Sequence, residues 1–182
     1  MSIGPLTTLR EMAFIVGTAL YTADISAVLS GGGAATVYAP DVNQSSDLDF
    51  ILSFWASQGV SARAIFDLGF EEKSGGYVHP ATKFTIEFPP GPLLIGYEPI
   101  TKWDTLREDG KVLQILSPTD CVRDRLSWFL FYTNVDYSAL DQALAVAARN
   151  EIDLDKIRRW CEAERVTDRY AIFEARYLKT YG

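Results

Sequence analysis

This sequence is poor in the side chains that build thiolate or imidazole metal sites. It has 2 cysteines and 1 histidine in 182 residues. Cys121 and Cys161 lie far apart in helix-like segments, which predicts reduced thiols rather than a disulfide. A zinc site would lack ligands. No apolar run approaches the roughly 20 residues that a membrane span needs. The first residues have no basic stretch leading into an apolar core, and Glu11 interrupts what apolar pattern there is. These features predict no signal peptide, no membrane and a cytoplasmic protein. Positive charge is also scarce. The net charge is −7, with 7 Lys+Arg against 13 Asp+Glu in residues 1–117 and 10 against 11 in residues 118–182. Such a chain is a poor sequence-independent binder of nucleic acid. There is no P-loop, no dinucleotide fingerprint and no nucleophile elbow.

What is present is an ordinary globular composition, 48% hydrophobic and 23% charged. A chain of this length buries roughly 70% of its unfolded surface and needs no staple. Residues 5–23 have helical periodicity. Residues 25–30 read as a buried strand, residues 31–39 as a glycine turn opening into a short helix, and residues 47–53 as a second strand. A helix is predicted over 54–68. Hairpin signals follow at Ser74-Gly75-Gly76 and Asp109-Gly110, with a strictly alternating strand at 83–88 between them. Residues 89–96 read as a Pro/Gly-rich connection. Ser117-Pro118-Thr119-Asp120 is a helix start, and helices are predicted over 118–132, 137–149, 153–164 and 167–180. The reading is an α/β core over 1–117, a small mixed β-sheet with flanking helices, followed by an α-helical part over 118–182 packed on it.

The chemistry concentrates in residues 28–52. Alternation along a strand puts Asp47 and Asp49 on one face, roughly 6–7 Å apart. Two carboxylates so close repel unless a cation sits between them, and hard oxygen ligands suit Mg²⁺. Upstream, Gly31 and Gly32 allow backbone N–H groups to approach an anion at a helix start. A metal site beside an anion cradle is a layout for phosphoryl or nucleotidyl transfer.

Ser30-Gly31-Gly32, a gap, and then Asp47-Leu48-Asp49-Phe50 resemble the signature of the nucleotidyltransferase superfamily, with its DNA-polymerase-beta-like fold. Gly31-Gly32-Gly33-Ala34 followed by Ser45-Ser46-Asp47-Leu48-Asp49-Phe50 is similar to the small bacterial branch that includes the AbiEii-type proteins. The opening of the helical half, Leu116-Ser117-Pro118-Thr119-Asp120, is similar as well. Two positions depart from the pattern. Asn43 stands where relatives often have Arg, and Glu87 stands where the third carboxylate is more often Asp.

The resemblance implies a Mg²⁺- or Mn²⁺-dependent enzyme that moves a nucleoside monophosphate from an NTP to an acceptor hydroxyl. Asp47, Asp49 and Glu87 would be both metal ligands and catalytic residues. Ser30, Gly31, Gly32 and Arg125 would bind the phosphates. The acceptor is left open between an RNA end, a protein side chain and a small molecule, and so is the oligomeric state. The alternative is a catalytically weak or inactive nucleotidyltransferase-like domain that binds a partner, for example in a toxin–antitoxin pair. The Asn43 and Glu87 departures favour that alternative. Arg123 and Arg125 also have a plainer reading, as partners of nearby acids. His79 reads as structural, and the aromatic run from Trp128 to Tyr132 reads as core or interface.

Overall fold

The computed structural model describes residues 3–52, 58–131 and 137–181. Helix α1 spans Leu9–Thr22. Thr8 caps it: its hydroxyl accepts the N–H of Glu11, and the Glu11 carboxylate accepts the N–H of Thr8. Strand β1, Ala27–Ser30, is fully buried and runs straight into helix α2, Gly31–Tyr38. Strand β2 covers Asp47–Leu52 and helix α3 covers Gln58–Phe66. The predicted start of that helix, at residue 54, lies outside the described residues.

Strands β3 (Glu71–Lys73) and β4 (Gly76–Val78) form the hairpin expected at Ser74-Gly75, both of which have left-handed φ. Strand β5 is Thr85–Glu87. The segment read as a simple connection instead contributes to a two-stranded hairpin, β6 (Leu94–Ile95) with β7 (Glu98–Pro99). Strands β8 (Asp104–Glu108) and β9 (Lys111–Ile115) form the hairpin expected at Asp109-Gly110. Helices α4 (Pro118–Phe131), α5 (Tyr137–Arg149), α6 (Leu154–Ala163) and α7 (Thr167–Tyr181) follow.

The main sheet has seven strands in the order β3-β4-β5-β2-β1-β9-β8. It is mixed: β1 runs antiparallel to β2 and parallel to β9, while β2 runs parallel to β5. Helices α1 and α2 touch each other and both rest on the sheet. Helices α4 and α5 pack against α2 and against each other, so the helical half is seated on the sheet through α2. One hydrophobic core runs from Leu9 through the strands to Phe173. The alternation in β5 buries Ile86 and leaves Glu87 exposed. Among the described residues, no helix is long and apolar enough to cross a membrane.

Candidate active site

The central strands set the geometry. In the parallel β2–β5 pair, Asp47 stands opposite Thr85 and Asp49 opposite Glu87. Directly opposed residues share a face of the sheet. Asp47, Asp49 and Glu87 each offer a carboxylate oxygen, and these oxygens lie within 4.8 Å of one another. Burial first, and then the charges of Asp47, Glu87 and Asp124, push the pKa of Asp49 up to about 6. The Arg125 guanidinium opposes this rise without cancelling it. A cluster made only of hard oxygen donors, crowded enough to hold one member above its ordinary pKa, fits a divalent cation such as Mg²⁺ or Mn²⁺.

A cavity of about 510 Å³ opens beside the aspartates. Asp47, Asp49 and Gly32 line it on the sheet side, and Arg125, Trp128 and Gln142 line it on the helical side. The Ser45 hydroxyl donates to Asp47 Oδ1. The Ser45 N–H is held in turn by the Thr36 hydroxyl, at 3.0 Å. Gln142 of α5 donates its side-chain N–H to the carbonyl oxygen of Asn43, which ties the loop before β2 to the helical half. Asn43 has a left-handed φ of 42°.

The glycine turn is tight for a reason that can be measured. Gly31 has φ +65°, and a Cβ there would stand 2.6 Å from Asp49 Oδ2. Only glycine fits both the backbone and the carboxylate. The Gly31 N–H does not face open space: it donates to Asp124 Oδ2 at 3.0 Å. Burial raises the pKa of Asp124, although Arg125 and the Gly31 N–H both favour its charged form.

In overall fold the chain matches an antigenic nucleotidyltransferase-like protein from Paracoccidioides brasiliensis. The TM-score is 0.57 at 14% identity, over 79% of this chain and 77% of that one. The fold is that of the nucleotidyltransferases. Two structures of ANT(2'')-Ia also match at 14% identity. One, in complex with adenylyl-2''-tobramycin, has a TM-score of 0.48 over 93% of this chain and 98% of that chain. The other, a solution structure, has 0.49 over 94% of both. No family model matches the chain, and no curated protein matches it in sequence.

On this nucleotidyltransferase fold the residues singled out from the sequence separate into two groups. Asp47, Asp49 and Glu87 come together, and Gly32 and Arg125 share a cavity with the two aspartates. Arg125 is 8% exposed, and its Nε has no hydrogen-bond partner. Ser30 and Gly31 are engaged within the protein. The Ser30 hydroxyl is buried and donates to the carbonyl oxygen of Asp49 at 3.3 Å, and the Gly31 N–H belongs to Asp124. Arg123 takes the plainer of its two readings. It is fully buried, pairs with Asp120 at 2.7 Å and with Glu98, and lies over the Trp160 ring. His79 packs on Phe70, and its Nδ1 accepts the N–H of Ala81.

Sequence reasoning missed Ser45 and Gln142, and reached Asp124 only as an acid near Arg123 and Arg125, which it is: Arg125 lies 3.8 Å from it. Ser45 was within reach, because a hydroxyl two residues before Asp47 is a local donor to its carboxylate. The Asp124 bond to Gly31 and the Gln142 bond to Asn43 arise only through tertiary packing and leave no local pattern.

Proposed function

We propose that this protein is a nucleotidyltransferase that moves a nucleoside monophosphate from an NTP to an acceptor hydroxyl. One observation carries the reading: the β2–β5 register sets Asp49 opposite Glu87, so that three carboxylates offer oxygens within 4.8 Å of each other beside a cavity. Asp47, Asp49 and Glu87 would hold the Mg²⁺ or Mn²⁺ ions, which when bound neutralise phosphate charge and acidify the acceptor hydroxyl. In the transfer, the acceptor oxygen bonds to the α-phosphorus, the bond from that phosphorus to its bridging oxygen breaks, and pyrophosphate leaves. A Glu87 carboxylate oxygen takes the hydroxyl proton. Ser45 orients Asp47 by its hydrogen bond. Arg125 offers its guanidinium N–H groups to phosphate oxygens from the helical wall, and Gly32 leaves room on the opposite wall. The finer placement in the AbiEii-like branch rests on the Gly31–Ala34 turn and the Asp47–Phe50 run.

The test is a melting-temperature titration with each common NTP, with and without Mg²⁺. The reading requires a rise that depends on both. One observation favours the second reading, a catalytically silent nucleotidyltransferase-like domain that acts as a binding partner: the Gly31 N–H is already spent on Asp124. No response to any NTP with Mg²⁺ selects that reading.

A further inference from the structure

Glu87 is one methylene longer than Asp47 and Asp49, and that adds roughly 1.5 Å of reach. It nevertheless stands directly opposite Asp49 with an oxygen inside the carboxylate cluster. The extra length must go somewhere, and the neighbouring strand provides the space. In the antiparallel β4–β5 pair, Tyr77 stands opposite Ile86, which places Gly76 opposite Glu87 on the same face. A Cβ built on Gly76 would lie 3.3 Å from the Ile86 carbonyl oxygen, a tight approach, and in ordinary contact with Glu87, 3.5 Å from its Cγ and 3.8 Å from its Oε1. Gly76 is buried although residues 71–75 are all exposed.

The turn does not explain this glycine. Ser74 and Gly75 supply the two left-handed residues of the hairpin, and Gly76 is absent from the positive-φ positions. A glycine inside a strand weakens it, and commonly marks a place where another group approaches closely. Here two groups approach: the Ile86 carbonyl oxygen, and beside it the Glu87 side chain.

We propose that Gly76 is a positioning residue: by presenting no side chain, it lets the longer Glu87 arm lie beside β4 and deliver its carboxylate to Asp47 and Asp49. The inference rests on the metal-site reading above and concerns only how this chain makes a glutamate do the work at that position. A methyl at residue 76 would only touch Glu87, whereas a branched side chain such as valine would extend beyond that contact and crowd it. Such a chain would crowd an aspartate at position 87 far less, because the aspartate has no Cδ and its carboxylate stays nearer the β5 backbone.

The test is a double-mutant cycle with two readouts. Gly76→Val, with Gly76→Ala as the milder variant should valine prevent folding, is made both in the parent and in the Glu87→Asp background. The first readout is the melting temperature in EDTA, which needs no metal. The glycine substitution should lower it, relative to its effect in the Glu87→Asp background, since residues in contact are not additive. The second is calorimetric Mn²⁺ affinity. Gly76→Val should weaken it about tenfold with Glu at position 87, and by much less with Asp there. Additive melting shifts together with equal losses of affinity in both backgrounds overturn the proposal. Coupled melting shifts in a parent that binds no Mn²⁺ overturn the metal reading and support the placement of Glu87 by Gly76.

Discussion

Asp124 Oδ2 accepts the N–H of Gly31 at 3.0 Å, so the first helix after the sheet grips the turn that ends β1. The same carboxylate oxygen lies 3.8 Å from Arg125. One side chain therefore ties the glycine turn to the helix that carries the cationic wall of the cavity. Asp124→Ala leaves a buried donor without its partner, and should lower unfolding stability by about 1–3 kcal/mol. Asp124→Asn keeps an oxygen acceptor and should lose less. Chemical denaturation of the two variants decides it, and equal losses contradict the assignment.

The metal-free protein should depend on pH through Asp49. Burial first, and then Asp47, Glu87 and Asp124, hold its pKa at about 6 against the ordinary 3.8. Between those values the folded protein keeps a proton that the unfolded chain releases. Asp49 therefore makes folding less favourable above about pH 6, and the penalty disappears as pH falls toward about 4. It amounts to at most about 3 kcal/mol. Denaturation in EDTA across this range should show the parent gaining on Asp49→Asn as pH falls. Mn²⁺ affinity should move the other way, weakening below about pH 6 because a protonated carboxyl is a poor ligand. Parallel stability curves for parent and variant contradict this account.

Arg123 and Arg125 should separate cleanly. Arg123 is buried between Asp120 and Glu98 and lies over Trp160, away from the carboxylate cluster. Arg123→Met leaves buried Asp120 with Lys156 as its remaining cation and half-exposed Glu98 unpaired, and should cost about 1–3 kcal/mol of stability while leaving Mn²⁺ affinity unchanged. Arg125→Met should instead remove most of the melting-temperature rise given by ATP with Mg²⁺. Should Arg123→Met abolish the nucleotide response in protein that remains folded, the division of roles is wrong.

These two arginines also show how far the sequence could be read. Residues two apart on a helix point roughly 200° apart, so the pattern guarantees that only one of them faces the cavity. It does not say which. That is decided by what α4 packs against: α2 on one side, and α6 with the β6–β7 hairpin on the other. The hairpins at Ser74-Gly75 and Asp109-Gly110 were legible because left-handed φ at two successive residues selects Gly, Asn, Asp or Ser locally. The β6–β7 hairpin was not, because its two-residue strands are too short to show alternation. Asp47 and Asp49 were legible from strand period. From its strand alone Glu87 reads as an exposed acid opposite a core face; its place as third carboxylate comes from the resemblance, since its register against Asp49 is a long-range pairing. Asp124 was legible only as an acid near the arginines, because its bond to Gly31 exists only once α4 is seated against the glycine turn.

The central claim is that Asp47, Asp49 and Glu87 form one divalent-cation site. Calorimetric titration of Mn²⁺ into the parent and into Asp49→Asn at neutral pH tests it most directly. The account predicts saturable binding to the parent and an affinity lower by about tenfold or more in the variant. It also predicts that the variant in EDTA melts at or above the parent, because one repelling charge is gone. Equal affinity in the two proteins, or no binding to the parent, contradicts it.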